Sequence, residues 1–285
     1  MTSVTAVVTC FNQGATIVAT LDSIRGQTQP PSAIIVVDDG STDRQTLTVL
    51  EQLTDESTQV IRLENGKVSR ARNVGIAAAR SDYVLVLDSD DLFEPTFLEK
   101  AVLRLDASKE VGLVSSWIRT MGLANWEVKP EGGALLSFLH KNNCPGQVLM
   151  RRACWERAGG YRENMLQGYE DWDFYIAVVK HGWRAEIIPE FLLKYYISPS
   201  SSNTNGYRIR LQLVREIVAN HREVYERHLE DVLVLKEQAL LERNEEIRRL
   251  LLGGVEERLR NPNVSFGDGG MAFAVQLEVD RRGGR

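Results

Sequence analysis

The chain has 285 residues, of which 43% are hydrophobic and 26% charged, and its formal net charge at pH 7 is −5. This composition is ordinary for a globular protein, and it provides no basic field that would favour a nucleic-acid partner. No apolar run approaches the roughly 18 residues of a membrane-spanning helix, and the first residues carry no signal-peptide pattern, so we expect neither feature.

The first part of the chain alternates between short apolar runs and helical patterns. The predicted strands are Val4–Thr9, Ala33–Val37 and Tyr83–Leu87, and the predicted helices between them are Ala15–Arg25, Arg44–Leu53 and Ser69–Ala79. This alternation predicts an α/β, Rossmann-like fold with a mostly parallel sheet and helices on both faces. Because parallel strands end at one edge of a sheet, the polar residues that follow them are expected to form one site.

The most acidic of these strand ends is Asp88, Asp90 and Asp91, three carboxylates within four residues. Such carboxylates repel one another unless a cation lies between them, and oxygen ligands of this kind suit Mg²⁺ or Mn²⁺. Mg²⁺ is commonly held by one or two carboxylates together with substrate phosphates. The motif therefore favours a metal that carries a phosphorylated ligand, and the alternative is a solvated loop that leads into a helix.

Two earlier segments provide further polar groups. Asp39 follows the second predicted strand, where its carboxylate could accept hydrogen bonds from a base or from hydroxyls. Lys67, Arg70 and Arg72 form a basic cluster at a helix start, which is a favourable place for an anion. We expect Lys67 or Arg70 to face a diphosphate, and Arg72 and Asn73 to brace the neighbouring loop. The alternative for the cluster is a solvated helix face.

A third segment, Gly168–Phe174, alternates acids with large aromatic residues and then continues as a helix. Aromatic neighbours can shield a carboxylate and raise its pKa, and such a group is suited to act as a general base for a hydroxyl. The alternative is that Glu170, Asp171 and Asp173 are simply placed to complement the helix dipole.

The cysteines and histidines show no metal-ligand spacing. Three scattered cysteines favour a reducing compartment, and we therefore expect a cytoplasmic location, with the inner face of the membrane as an alternative. The histidines are predicted to be structural; they are His140, His181, His221 and His228.

Taken in order, these motifs form a specific series. They are Val8–Asn12, Val37–Asp43, Ala71–Gly75, Leu87–Asp91, Gly159–Tyr161 and Gly168–Asp173. The series resembles the inverting family-two glycosyltransferases of the GT-A fold, over about Val4–Pro199.

The resemblance implies a role for several residues of the donor site. Asp39 contacts the nucleobase, and Thr9 and Phe11 border the base and ribose. Asp88 and Asp90 form the metal and diphosphate motif and are both candidate metal ligands, with Asp90 preferred as the direct one. Asp91 holds the loop or binds the metal indirectly.

On the acceptor side, the resemblance implies that Asp171 is the catalytic base and that Glu170 orients or binds the acceptor. Many members of the family carry a histidine ligand near the position of Ser198. The serine implies a metal that relies on Asp90, phosphates and water, or one that is loosely bound.

The implied activity is transfer of a sugar from a nucleoside-diphosphate sugar, UDP-linked, to an acceptor hydroxyl of a carbohydrate or glycan. The transfer is expected to proceed with inversion and with Mn²⁺ or Mg²⁺. The alternatives are a metal-dependent nucleotidyltransferase and a non-catalytic nucleotide- or carbohydrate-binding subunit. A dehydrogenase is disfavoured because no G-x-G-x-x-G follows the first strand.

The remainder of the chain differs in composition. Tyr207–Leu252 carries an apolar stripe at three- and four-residue steps, which predicts one or two amphipathic helices. We expect a catalytic domain over residues 1–205 and a helical extension with a short irregular tail over 206–285. The stripe could dock on its own domain, pair subunits into a homodimer, or contact a membrane surface. Met271–Val279 is predicted to be a short strand or an ordered tail.

Overall fold

The computed structural model describes residues 3–53, 57–198, 206, 208–252 and 274. Its strands are β1 (Val4–Cys10), β2 (Ala33–Asp38), β3 (Thr58–Arg62), β4 (Tyr83–Asp88), β5 (Leu92–Phe93), β6 (Val111–Gly122), β7 (Glu127–Val128), β8 (Val148–Arg151) and β9 (Arg184–Ile197). Its helices are α1 (Ile17–Arg25), α2 (Arg44–Gln52), α3 (Lys67–Ala78), α4 (Phe97–Ala107), α5 (Leu135–His140), α6 (Arg152–Ala158), α7 (Glu170–Val179), α8 (Arg210–Asn220), α9 (Arg222–Arg227) and α10 (Leu229–Leu252).

These strands join one mixed sheet in the order β3-β2-β1-β4-β8-β6-β9-β5, with β7 paired to β6. The first four strands in this order are parallel, as the βα alternation predicted. Beyond β4, β8 is antiparallel to both of its neighbours and β5 is antiparallel to β9. The α/β prediction is confirmed, but the parallel arrangement is continuous only over the first half of the sheet.

Strands β1, β2 and β4 were predictable because they are buried on both faces and are therefore mostly apolar. In β1, Ala6 and Val8 belong to the core on one side of the sheet, and Val7 belongs to the core on the other. The long strands β6 and β9 were not predicted, since charged and polar residues interrupt them. The first helices agree with their predicted bounds to within two residues, and the short strand β3 was missed.

The C-terminal helices pack against the α/β part of the molecule. Their buried residues Ile217, Tyr225 and Val232 belong to the same core as helix α7. The amphipathic stripe thus docks on its own chain, through three helices rather than one or two. Among the described residues, no helix combines the length and the apolar composition that crossing a bilayer requires. The predicted segment Met271–Val279 lies outside the described residues, apart from Ala274.

Candidate active site

A cavity of about 1030 Å³ opens where β1 and β4 end, and it extends to the start of α7. Its lining contains every predicted site residue except Arg70; these are Thr9, Phe11, Asp39, Lys67, Asp88, Asp90, Glu170 and Asp171. The three segments proposed to converge from distant parts of the sequence therefore do converge in the fold.

Arg70 lies off the cavity because of the phase of helix α3. This helix begins at Lys67, two residues earlier than predicted, and its residues 67, 68, 71 and 72 line the cavity. Arg70 falls beside that face, and its side chain packs over Gly66, where an added Cβ would lie 2.4 Å from the Arg70 Cδ. Of the two cations predicted to face a diphosphate, the structure thus places only Lys67 in the wall.

Three residues of the cavity lining have left-handed backbone conformations. Asn12, Lys67 and Tyr169 have φ angles of 54°, 71° and 61°, and they are the only non-glycine residues with positive φ among those described. Each lies where a strand or loop turns toward the cavity, and such conformations carry a strain that clusters at functional sites. Asn12 helps to hold the turn, because its Oδ1 accepts hydrogen bonds from the backbone amides of Thr42 and Asp43.

Asp39 connects the end of β2 to the loop before α3. Its Oδ1 accepts a hydrogen bond from the Gly66 amide at 2.7 Å, and its Oδ2 lies 3.3 Å from Asn65 Nδ2. Gly40 permits this close approach, since its φ is +77° and an added Cβ would lie 2.6 Å from Asn65 N. Asp39 therefore presents only part of its hydrogen-bonding capacity to the cavity.

The ring of Phe11 is the exposed apolar surface at this end of the cavity. It is 46% exposed and follows directly after β1. Thr9, at the end of the same strand, is instead buried, and its Oγ1 donates to Asp88 Oδ1 at 2.8 Å. Phe11 is thus available to a ligand, whereas Thr9 supports the adjacent carboxylate.

The acidic loop, defined as Asp88, Asp90 and Asp91, contains carboxylates in three different environments. Both oxygens of Asp88 accept hydrogen bonds from Arg72 Nη2, at 3.0 and 3.1 Å, and Oδ2 also accepts from Gln147 Nε2. Asp91 is buried, accepts from Gln147 Nε2, and accepts from the Tyr196 amide at 2.8 Å. These two acids hold the loop against its neighbours.

Asp90 is the open member of the acidic loop. Its Oδ2 lies 3.4 Å from Gln13 Nε2, and the residue lines the cavity. Burial and the neighbouring charge of Asp88 raise the pKa of Asp90 to about 7. A carboxylate that is crowded by another acid and has no close cationic partner of its own favours a bound cation.

The residues present fit a divalent cation that is held partly by the protein and partly by a phosphorylated molecule bound in the cavity. Within residues 3–53, 57–198 and 208–252, no three His, Cys, Asp or Glu side chains converge on a complete metal site. Ser198 lines the cavity and supplies no imidazole. The donor set is therefore Asp90 with room for phosphate and water oxygens, which suits Mg²⁺ or Mn²⁺. The oxygens of Asp88 face Arg72, so direct ligation by Asp88 stays a prediction.

The acidic helix start, defined as Glu170, Asp171 and Asp173, lies across the cavity from the acidic loop. Glu170 Oε1 accepts from Arg72 Nη1 at 2.8 Å. Asp171 Oδ2 accepts from Asn142 Nδ2 at 2.9 Å, and its Oδ1 accepts from the Trp172 amide. Burial and the charge of Glu170 raise the pKa of Asp171 to about 7. Asp171 can therefore exchange a proton near neutral pH.

Arg72 joins the two acidic segments. Its side chain is 3% exposed and forms ion pairs with both Asp88 and Glu170. The sequence predicts that Arg72 and Asn73 brace a loop, and Asn73 does exchange hydrogen bonds with the Tyr161 backbone. Arg72 itself sets the spacing between the two carboxylate groups, a function that local sequence did not indicate.

Comparisons with known proteins place these observations in a family. The family model described as glycosyl transferase family 2 matches residues 5–168, which is more than half of the chain. The chain belongs to this family. The prediction of a nucleotide-sugar-dependent glycosyltransferase is thereby confirmed at the level of the family.

Relatives in this family come from several prokaryotes. The chain is 25% identical over 202 residues to the uncharacterized glycosyltransferase MJ1057 of Methanocaldococcus jannaschii, covering 67% of this chain and 68% of that protein. It is 37% identical over 106 residues to the succinoglycan biosynthesis protein ExoO of Rhizobium meliloti, covering 37% of this chain and only 30% of the relative.

Solved structures support the GT-A-like fold. The structure of S. aureus TarS 1–349 in complex with UDP has a TM-score of 0.60 at 21% identity and covers 76% of this chain and 66% of that chain. The complex of the same protein with UDP-GlcNAc has a TM-score of 0.58 at 20% identity, covering 77% and 72%. The predicted fold class, including helices at the C-terminal end, is confirmed.

Proposed function

We propose that this family member transfers a sugar from a UDP-linked donor to an acceptor hydroxyl, with inversion at the anomeric carbon. The observation that carries the proposal is that two carboxyl groups, Asp90 and Asp171, both with a pKa near 7, line the same cavity. One is suited to a cation and the other to a proton. The complexes of TarS with UDP and UDP-GlcNAc support the choice of a uridine donor.

The donor is proposed to lie along the ends of β1, β2 and β4. Phe11 offers an exposed ring against which a base or ribose can pack, and Asp39 accepts a hydrogen bond from the base. Thr9 and Asp88 border the ribose and the diphosphate, and Lys67 compensates part of the phosphate charge. Arg70 is not included, since it does not line the cavity.

Asp90 is proposed to be the residue that would hold a divalent cation beside the donor diphosphate. When bound, this cation would stabilise the negative charge that grows on the departing nucleoside diphosphate. Asp90 would provide a carboxylate ligand. Arg72 and Gln147 keep Asp88 oriented by donating hydrogen bonds to its carboxylate.

Asp171 is proposed to be the general base. It would take the proton of the acceptor hydroxyl while that oxygen forms a bond to the anomeric carbon and the bond from this carbon to the diphosphate oxygen breaks. Glu170 is less suited to this role, because Arg72 holds its carboxylate in an ion pair. Asn142 Nδ2 fixes Asp171 Oδ2 at 2.9 Å and thereby orients the group. A single displacement of this kind inverts the configuration.

We retain the functional division into a catalytic part, residues 1–205, and a helical extension, residues 206–285. Helix α10 carries exposed apolar side chains; they are Leu229, Leu233, Val234, Leu240 and Leu241. These side chains could pair with a second copy of the chain or contact a membrane surface, the two alternatives that the sequence left for this segment. The acceptor is proposed to be a carbohydrate or glycan.

The test is a thermal-shift panel of UDP-, GDP-, dTDP-, ADP- and CMP-sugars, each with and without Mn²⁺, followed by measurement of nucleotide release. A ligand at 100 times its dissociation constant stabilises a fold by about 2.7 kcal/mol, so a shift is expected with UDP-sugars and Mn²⁺. A panel without any shift would overturn the proposal. Binding without nucleotide release, whichever acceptor is offered, would instead support a non-catalytic subunit.

A further inference from the structure

A buried carboxylate that the reaction does not use lies two residues after the proposed base. Asp173 is 0% exposed and belongs to helix α7. Its Oδ1 accepts from Asn220 Nδ2 at 2.9 Å and from His221 Nε2 at 3.0 Å, and its Oδ2 lies 3.1 Å from Arg162 Nε. Burying such a group costs more than an apolar side chain of the same size would, so stability alone does not account for it.

His221 is the partner from the C-terminal helices. It is 3% exposed and lies at the break between α8 and α9, where its φ and ψ are −122° and 29°. Its Nε2 contacts both the carboxylate and, at 3.1 Å, the backbone oxygen of Asp173. It therefore joins the C-terminal helices directly to the first turns of α7.

His228 shows that such a helix break does not itself require a buried histidine. It lies at the next break, between α9 and α10, with nearly the same backbone angles, −115° and 24°. Its side chain is 28% exposed and lies 3.3 Å from Asp231, in the first turn of the helix that follows it. The burial of His221 is thus linked to its contact with Asp173.

The same cluster reaches the rim of the cavity. Arg162 Nη2 lies 3.4 Å from the backbone oxygen of Asn220, and Asn220 Nδ2 lies 3.7 Å from Met165 Sδ. Met165 lines the cavity, as do the residues from 166 to 172. Asp173 therefore joins helix α7, the α8–α9 junction and residues 162–169, which we call the rim loop.

We propose that the Asp173–His221 contact is a positioning clamp, through which the C-terminal helices hold Asp171 in its working orientation. The inference rests on the proposed role of Asp171 as the base. Loss of the clamp would let the first turn of α7 and the rim loop shift, and small displacements of a reacting group can cost about 100-fold in rate. The strand ends that bind the donor do not depend on this contact, so donor affinity should persist.

The experiment compares His221→Leu, His221→Gln and His228→Leu with the wild-type protein. Nucleotide release gives kcat, and calorimetry with UDP and Mn²⁺ gives donor-site affinity. His221→Leu should lower kcat by about 10- to 100-fold while the UDP affinity stays within about threefold. His221→Gln retains an N–H donor and should recover most of kcat. His228→Leu is the matched control and should behave as wild type.

Hydrogen exchange supplies a readout that does not depend on activity. Amides of residues 168–175 should exchange faster in His221→Leu, but not in His228→Leu, while amides of β1 and β4 keep their protection. Wild-type kcat in His221→Leu, or a parallel loss of kcat and UDP affinity, would overturn the clamp. If wild-type protein releases no nucleotide from any sugar donor, the proposed function fails instead, and the exchange comparison alone decides the clamp.

Discussion

The acidic loop and the acidic helix start are built alike and differ in one respect. In each, one carboxylate is paired with Arg72, and one, Asp91 or Asp173, is fully buried and hydrogen-bonded. The third lines the cavity, is only partly buried and has no ion pair with Arg72. These third members are Asp90 and Asp171, and burial together with a neighbouring acid raises the pKa of both to about 7. An aspartate thus has a raised pKa in both segments.

The difference lies in the charge around the buried member. Asp91 is held by neutral donors, Gln147 and a backbone amide, whereas Asp173 has Arg162 beside it. The acidic loop is therefore short of positive charge, and a cation would relieve Asp90. The acidic helix start already has a cation beside it, Arg162, so Asp171 is left to exchange a proton. Environment, rather than residue type, separates the two proposed roles.

The largest effect is expected from Asp171→Asn, which keeps the size of the side chain but removes the base. Turnover should fall by about 10²- to 10⁴-fold, while affinity for UDP and Mn²⁺ stays within a few-fold of wild type. Steady-state nucleotide release and calorimetry measure both quantities. Glu170→Gln is the matched control and should lose less. If Glu170→Gln is inactive and Asp171→Asn is active, the base is misassigned.

Arg72→Met should weaken both segments at once. Removing one partner of a buried ion pair destabilises a protein strongly, and we expect the free energy of unfolding to fall by about 3 kcal/mol. This is the lower end of the usual range for such changes, because Asp88 and Glu170 keep some contact with water. Urea unfolding measures the free energy. Arg104→Met breaks the exposed pair of Arg104 with Glu186 and should cost at most about 1 kcal/mol. Equal losses in the two variants would contradict the bridging role of Arg72.

Asp90→Asn should distinguish the proposed role of Asp90 from that of Asp171. In the wild-type protein, Mn²⁺ is expected to increase UDP affinity by about tenfold, or ~1.4 kcal/mol. Asp90→Asn should bind UDP equally with and without Mn²⁺, whereas Asp171→Asn should keep the metal effect. Calorimetry at constant pH distinguishes them. Wild-type affinity that does not respond to Mn²⁺ would argue against a cation at the acidic loop.

A smaller effect concerns pH. With Mn²⁺ saturating, kcat/KM should rise with pH and level off above about 7, as Asp171 loses its proton. Without metal, the raised pKa values of Asp90 and Asp171 mean that the folded state holds more protons than the unfolded chain. Stability should therefore fall as pH rises from about 4 to about 7. Thermal melts of Asp90→Asn and Asp171→Asn should each show a weaker fall, and an unchanged slope in both would contradict the raised values.

Some features of the site followed from local sequence. Apolar runs that end in acids identified β2 and β4, because a strand buried on both faces must be apolar until it reaches the sheet edge. The ordered motifs then indicated the family, and the cavity lining contains the acids predicted for the site, which are Asp39, Asp88, Asp90, Glu170 and Asp171. Which side of helix α3 faces the cavity was harder to predict. The helix begins at Lys67, two residues before the predicted start, and Lys67 lines the cavity whereas Arg70 does not.

The sequence by itself therefore determined the α/β alternation, the family, and the acids that gather at one edge of the sheet. Only the tertiary structure decided which acid is paired and which is open. Arg72 and Glu170 are 98 positions apart, and Gln147 and Asn142 belong to no recognisable motif. Whether a carboxylate is neutralised depends on partners that other elements bring within about 3 Å, and on how much water burial removes. Both are properties of packing, which no local pattern encodes.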